Sequence, residues 1–147
     1  MKEQKKKLKK KRQKQKEEEK RKKKKKSLLT NKAPLPIGPY SQGIEYGNLI
    51  FVSGQIGIDP ETGNLKEGIE EQTKQALENI KNILESYNLS MENVLKVTIF
   101  LKNIEDFQKV NEIYSSYFKE PFPARSTVFV KELPKGALVE IEVIAYK

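Results

Sequence analysis

The 147-residue chain contains no histidine and no cysteine. Those absences exclude Ser-His-Asp and Cys-His triads, zinc sites of the usual kind, and disulfides. A carboxylate-bound magnesium remains open. No apolar run is long enough for a membrane-spanning helix or the core of a secretory signal. The expectation is a soluble, cytoplasmic protein, and the length points to one domain. What is left for acid–base work is little more than arginine and the carboxylates.

The formal net charge of +9 is unevenly spread. Met1–Lys26 holds 17 Lys/Arg and 4 Glu, a net of +13, whereas the remainder holds 12 basic and 16 acidic residues, a net of −4. The remainder therefore carries no nucleic-acid footprint of its own. Between Lys2 and Lys26 every residue except Leu8 is Lys, Arg, Glu or Gln. Such a segment has nothing to bury, so a disordered tail or a fraying, solvated helix is expected over residues 1–26. Three readings fit it. It is a polycation for RNA, DNA or anionic lipid, or a passive extension, or a purine-rich ribosome-binding region translated from a misassigned start. Four Glu and the lack of Ser, Ala or an amphipathic pattern argue against a transit peptide. The composition changes at Ser27, and residues 27–147 read as the domain.

Within it, Asn31–Tyr40 has three prolines and Gly38, an extended segment rather than a helix. Gly47-Asn48 separates the apolar runs Ile44–Tyr46 and Leu49–Ile56, as in a hairpin. Glu70–Tyr87 is the clearest helix, with Thr73, Ala76, Leu77, Ile80, Leu84 and Tyr87 at three- and four-residue spacing. Val94–Leu101 reads as a strand. Asn103 with Asp106 resembles a capping box for a second helix striped by Phe107, Val110, Tyr114, Tyr117 and Phe118. Arg125–Lys131 and Leu138–Ala145 read as the final strands. The predicted order is β-β-α-β-α-β-β, an α+β domain with two helices on one face of a mixed sheet.

The other face predicts something further. Alternation sets Glu140, Glu142 and Ile144 opposite the apolar set Val139, Ile141, Val143 and Ala145, and groups Arg125 with Thr127 and Phe129. A face mixing carboxylates, Arg125 and Phe129 is too apolar for open water and too charged for a core. Self-association around a polar pocket satisfies both demands.

Arg125 is a candidate carboxylate clamp, because its guanidinium fork matches a carboxylate and stays charged; taken alone, a strand-end arginine paired to a surface acid is the commoner case. Glu140 is a candidate general base toward water, or a solvated strand glutamate, with Glu142 as its decoy. Asn111 lies on the stripe side of the second helix and must order a loop or meet a ligand. Tyr40 and Ser41 follow Gly38-Pro39 in a loop. At the end of a strand, Gly54 permits close backbone approach and Ser53 offers a hydroxyl for binding. With no base at hand, Ser53 is not a nucleophile.

Several segments occur in a telling order: Asn31–Pro34, Ile37–Gly43, Val52–Ile56, Asp59–Gly63, Gln72-Thr73 with Asn79-Ile80, Pro123–Thr127 and Leu133–Glu142. Together they strongly resemble the RidA (YjgF) family of reactive intermediate deaminases over residues 31–147. The resemblance implies a chorismate-mutase-like fold and a homotrimer with sites between subunits. It also implies hydrolysis of 2-imino acids such as 2-iminobutanoate and 2-iminopropanoate to 2-keto acids and ammonia. Carried onto matching positions, Arg125 grips the substrate carboxylate and Glu140 activates the water. Tyr40, Ser53, Gly54 and Asn111 line the pocket, and the Thr127 backbone holds substrate or water where some members have Cys. No cofactor and no metal are implied. Two further readings are a translation inhibitor associated with RNA through the tail and a trimer that binds keto acids without turnover. A membrane partner is not expected.

Overall fold

The structure, a computed structural model, describes all residues from Met1 to Lys147. Helix α1 spans Lys2–Lys22, and strands β1 (Lys26–Leu28), β2 (Gly43–Tyr46) and β3 (Leu49–Ile56) follow. Helix α2 (Gly68–Ser86), strand β4 (Val94–Leu101), helix α3 (Phe107–Tyr117), and strands β5 (Ala124–Phe129) and β6 (Val139–Tyr146) complete the chain. No helix is long and apolar enough to cross a membrane.

The strands form one mixed sheet in the order β1-β2-β3-β6-β4-β5. The last strand lies at its centre, antiparallel to both β3 and β4, while β5 runs parallel to β4 at the edge. The β4–α3–β5 crossover accounts for that parallel pair, since a parallel neighbour needs a connection long enough to return the chain. The added strand β1 pairs with β2 and was not anticipated, because Lys26, Ser27 and Leu28 at the end of the lysine run are too few to show an alternation. Its register is held by backbone hydrogen bonding rather than by an apolar pattern.

Both α2 and α3 pack on one sheet face, as predicted. Val139, Ile141, Val143 and Ala145 of β6 are buried there beside Val97, Ile99 and Leu101 of β4. Ala76, Leu77, Ile80, Ile83 and Leu84 of α2 cover them, all completely buried. Each such Leu or Ile contributes roughly 1.5–3 kcal/mol through burial. The helix comes unusually close at Gly57: a Cβ there would lie 2.5 Å from Gln72 Cα and 2.6 Å from its carbonyl oxygen. Only glycine permits that approach.

Two expectations are corrected. Asn103 and Asp106 make no capping box, because neither side chain caps a helix. A 3-10 turn, Ile104–Asp106, precedes α3, and the Asp106 N–H is satisfied by the Asn103 carbonyl at 3.2 Å, so backbone rather than side chain closes the turn. The reciprocal cap is at Ser90 and Asn93, just before β4. Second, Arg125 does not share a face with Glu140. Register pairs Arg125 with Val97 and Val97 with Val143, on the helix side, whereas Glu140 pairs with Phe100 and Phe100 with Val128 on the open side. Alternation orders residues within a strand, but strand pairing decides which set of one strand joins which set of the next.

Helix α1 has no buried residue. Of the two states its composition allows, the structure has the solvated helix. Its C-terminal end is joined to the β2–β3 turn by a hydrogen bond from the Gly47 N–H to the Lys22 carbonyl, 2.7 Å.

Candidate active site

The candidate residues fall into two groups on opposite sides of the sheet. The first lines a cleft of about 600 Å³ on the open face, walled by Pro34, Leu35, Ile37 and Tyr40 and floored by Ser53, Gly54, Ile56, Glu140 and Glu142.

The loop wall is built from a single buried amide. Gln42, 1% exposed, donates to the carbonyls of Thr30, Ala33 and Pro34 and accepts from the Thr30 N–H. It thereby fastens the proline-rich segment to the sheet in place of regular structure. The Ser53 hydroxyl donates to the Ser41 carbonyl at 2.5 Å, and the Ser53 N–H donates to the Gln42 carbonyl at 2.9 Å. Ser53 is thus committed to holding the loop that carries Tyr40. Tyr40 itself is 51% exposed at the rim.

Register between β3 and β6 shifts between Val52 and Gln55. This irregularity brings the Gly54 backbone against the Glu140 carboxylate: a Cβ on Gly54 would lie 2.2 Å from Glu140 Oε1. Glu140 is half-buried, and loss of hydration raises its pKa, with the neighbouring Glu142 carboxylate adding to the rise. Both causes disfavour the charged form, which is the environment a general base needs to work near neutral pH. Glu142 is exposed, so the two carboxylates differ by burial, not by type.

The second group lies at the α3–β5 edge. The Arg125 guanidinium carbon stands 4.8 Å from the centre of the Tyr114 ring and 6.0 Å from that of Phe107. Such cation–π contacts contribute about 0.5–2 kcal/mol each and hold the fork in place without consuming its donors. Asn111, half-buried, is one helical turn from both rings on the same α3 face. Thr127 is two residues along β5 from Arg125, on the same face, paired with Ile99. The Tyr114 hydroxyl is buried without a hydrogen-bond partner, and burial raises its pKa although Arg125 opposes the shift.

The structure therefore unites Tyr40, Ser53, Gly54 and Glu140, separately unites Asn111, Arg125 and Thr127, and does not bring the two groups together within one chain. Sequence reasoning missed several supports. Gln72 accepts the Leu138 N–H at 2.8 Å, ahead of Glu140, and Asn79 donates to the Ile56 and Ile58 carbonyls at 3.3 and 2.9 Å. Buried amides on an otherwise apolar helix stripe were the available signal. Lys135, also in the cleft lining, stood only as part of the Leu133–Glu142 segment, with no role of its own. No group of three or more acidic side chains is gathered as a metal site.

Comparison with known proteins is consistent across the domain. The family model described as Endoribonuclease L-PSP matches residues 30–147. A RutC family protein of Pyrococcus abyssi is 59% identical over 121 residues, covering 82% of this chain and 95% of the relative. The human 2-iminobutanoate/2-iminopropanoate deaminase is 50% identical over 117 residues, covering 79% of this chain and 85% of the relative. Among solved structures, Escherichia coli TdcF with bound serine superposes with a TM-score of 0.80 at 40% identity, covering 83% of this chain and 98% of that one. The six-stranded sheet with its two packed helices is the chorismate-mutase-like fold of these proteins. With the fold, the motifs and the relatives in agreement, the chain belongs to the RidA/YjgF family.

Proposed function

We propose that the protein hydrolyses small 2-imino acids to 2-keto acids and ammonia. The observation that carries this reading is the half-buried Glu140 carboxylate, seated against Gly54 with its pKa raised. Glu140 takes a proton from water as the water oxygen bonds to the imine carbon. Glu140 returns that proton to the nitrogen, giving the tetrahedral hydroxy-amine. The hydroxyl proton then passes by way of Glu140 to the amine, the C–N bond breaks as the C=O bond forms, and ammonia leaves. Arg125 binds the substrate carboxylate bidentately, so the electrophilic carbon is held in a fixed place. Tyr40, Ser53, Gly54 and Asn111 line the pocket, and the Thr127 main chain assists. Free imines already hydrolyse in water; a positioned base adds about 10²–10⁴-fold.

The separation of the two groups supports a site completed between copies. One chain presents a cleft on one face and a cationic edge on the other, which is a heterologous arrangement that closes into a ring. A homotrimer is the ring proposed. The apolar side chains left on the open face, among them Phe51 at 42% and Val128 at 43% exposed, are consistent with burial against a neighbour. The site belongs to residues 27–147, and α1 takes no part in it.

The experiment is keto-acid release from 2-iminobutanoate generated in situ by a threonine dehydratase, with semicarbazide competing for the imine. Acceleration is expected, together with its loss in Arg125→Ala. In Glu140→Gln turnover is lost while 2-oxobutanoate still binds. Binding without turnover in the parent protein would instead mark a ligand-binding trimer.

A second reading concerns α1 alone, whose complete exposure leaves its cations free. It takes nucleic-acid phosphates by counterion release, so affinity should fall steeply with salt. A flat salt dependence of RNA binding removes that reading.

A further inference from the structure

Four charged residues line the Glu140 cleft: Asp59, Lys135, Glu140 and Glu142. Asp59 is already paired with Lys66 at 3.4 Å. That leaves two carboxylates without cationic partners and a single ammonium, that of Lys135, which belongs to none of the chain's four ion pairs. The backbone holding it is unusual. Lys135 has φ 56° and ψ 23°, in the left-handed region, followed by Gly136 at φ 69°. A lysine there is disfavoured where glycine or asparagine is at ease.

The loop is not free to relax. The Gly136 N–H donates to the Leu133 carbonyl at 3.2 Å and the Ala137 N–H to the Pro134 carbonyl at 3.1 Å. Ala137 is completely buried, and the Leu138 N–H is fixed by Gln72. Strain of this kind persists where surrounding structure over-determines it, and it concentrates at functional sites.

We propose that Lys135 recruits the anionic substrate electrostatically, its strained turn holding an ammonium at the rim of an otherwise acidic cleft. The inference rests on the imine-hydrolysis reading above. Until Arg125 of a neighbouring copy grips it, the two carboxylates repel an approaching 2-imino acid, and such an acid decays in water, so the rate of capture matters more than the rate at saturation. A rim cation acts on that step: it raises the association rate, leaves the bound complex nearly unchanged, and is screened by salt. Lys135 is a recruiting residue and Arg125 remains the clamp.

The test compares Lys135→Asn, which suits the left-handed backbone without the charge, with Lys135→Arg, which keeps it. Lys119→Asn removes a charge from an exposed position elsewhere. Two readouts are taken at low and high ionic strength: the stopped-flow association rate of 2-oxobutanoate, followed by tyrosine fluorescence, and kcat/KM with kcat for 2-iminobutanoate. Lys135→Asn should lower the association rate and kcat/KM about 3- to 10-fold at low salt, with kcat held. The deficit should close near 0.5 M salt, where the Debye length is only about 4 Å. Lys135→Arg and Lys119→Asn should behave as the parent. An unchanged association rate in Lys135→Asn at low salt overturns the proposal, as does a deficit that persists at high salt. If association follows the prediction but no form turns over, recruitment stands and the deaminase reading falls.

Discussion

The cleft that holds Glu140 and the edge that holds Arg125 share one sheet but use opposite faces, and they manage charge in opposite ways. In the cleft, burial and a second carboxylate make the charged state of Glu140 costly. At the edge, the charge of Arg125 is supported by the faces of Tyr114 and Phe107. One arrangement creates a base eager for a proton; the other creates a permanent cation with its donors free. For the proposed hydrolysis neither half suffices, because proton transfer without orientation, or orientation without a base, leaves most of the rate behind.

The sharpest way to break this comparison is to divide the halves between subunits. Arg125→Ala and Glu140→Gln should each lose about 10²–10⁴-fold in kcat/KM. If the site is shared between copies, refolding an equal mixture of the two variants should restore about a quarter of parental activity, since one interface in four then has both intact halves. No restoration in mixed oligomers would place both residues in the same chain's site.

Next come the two glycines at which other groups crowd the backbone. Gly57→Ala pushes a methyl into the backbone of α2 and should destabilise the fold by about 3 kcal/mol, measured by denaturant unfolding. Gly54→Ala meets only the movable end of Glu140. It should cost activity about 10-fold or more through misplacement of the carboxylate, with unfolding nearly unchanged. Equal effects on stability would erase the distinction between scaffold and site.

The smallest effect concerns pH. Glu140 has its folded-state pKa raised above 4.5, so activity should fall as pH drops through that raised value. Glu142→Gln removes the secondary cause and should move the acid limb to lower pH, with little change in kcat on the plateau. Stability runs the other way. The favourable contribution of a raised carboxyl is fully present below the unfolded pKa and is lost as pH rises through the folded one. Glu140→Gln should therefore be more stable than the parent at neutral pH while inactive. A variant equally stable at all pH values would argue that Glu140 is well solvated.

Much of this was legible beforehand, for identifiable reasons. The α2 stripe and the strict alternation of Val139, Ile141, Val143 and Ala145 are periodic signals with one structural solution each. The motifs around Gly54, Arg125 and Glu140 picked out the residues that the structure places at the cleft and the edge. The polar β1 and the false cap at Asn103 show where local patterns run out, since β1 exists only by pairing with β2 and Asn103 is outcompeted by a backbone turn.

The chain's own order of residues thus determined the helices, the apolar faces, the absence of histidine and thiol chemistry, and the identity of the charged candidates. Only the tertiary structure decided that β6 lies centrally, that a register shift brings Gly54 against Glu140, and that Arg125 turns to the opposite face. The reason is physical: periodicity is a property of neighbours along the chain, whereas face-matching and desolvation arise from strands and loops that meet across it.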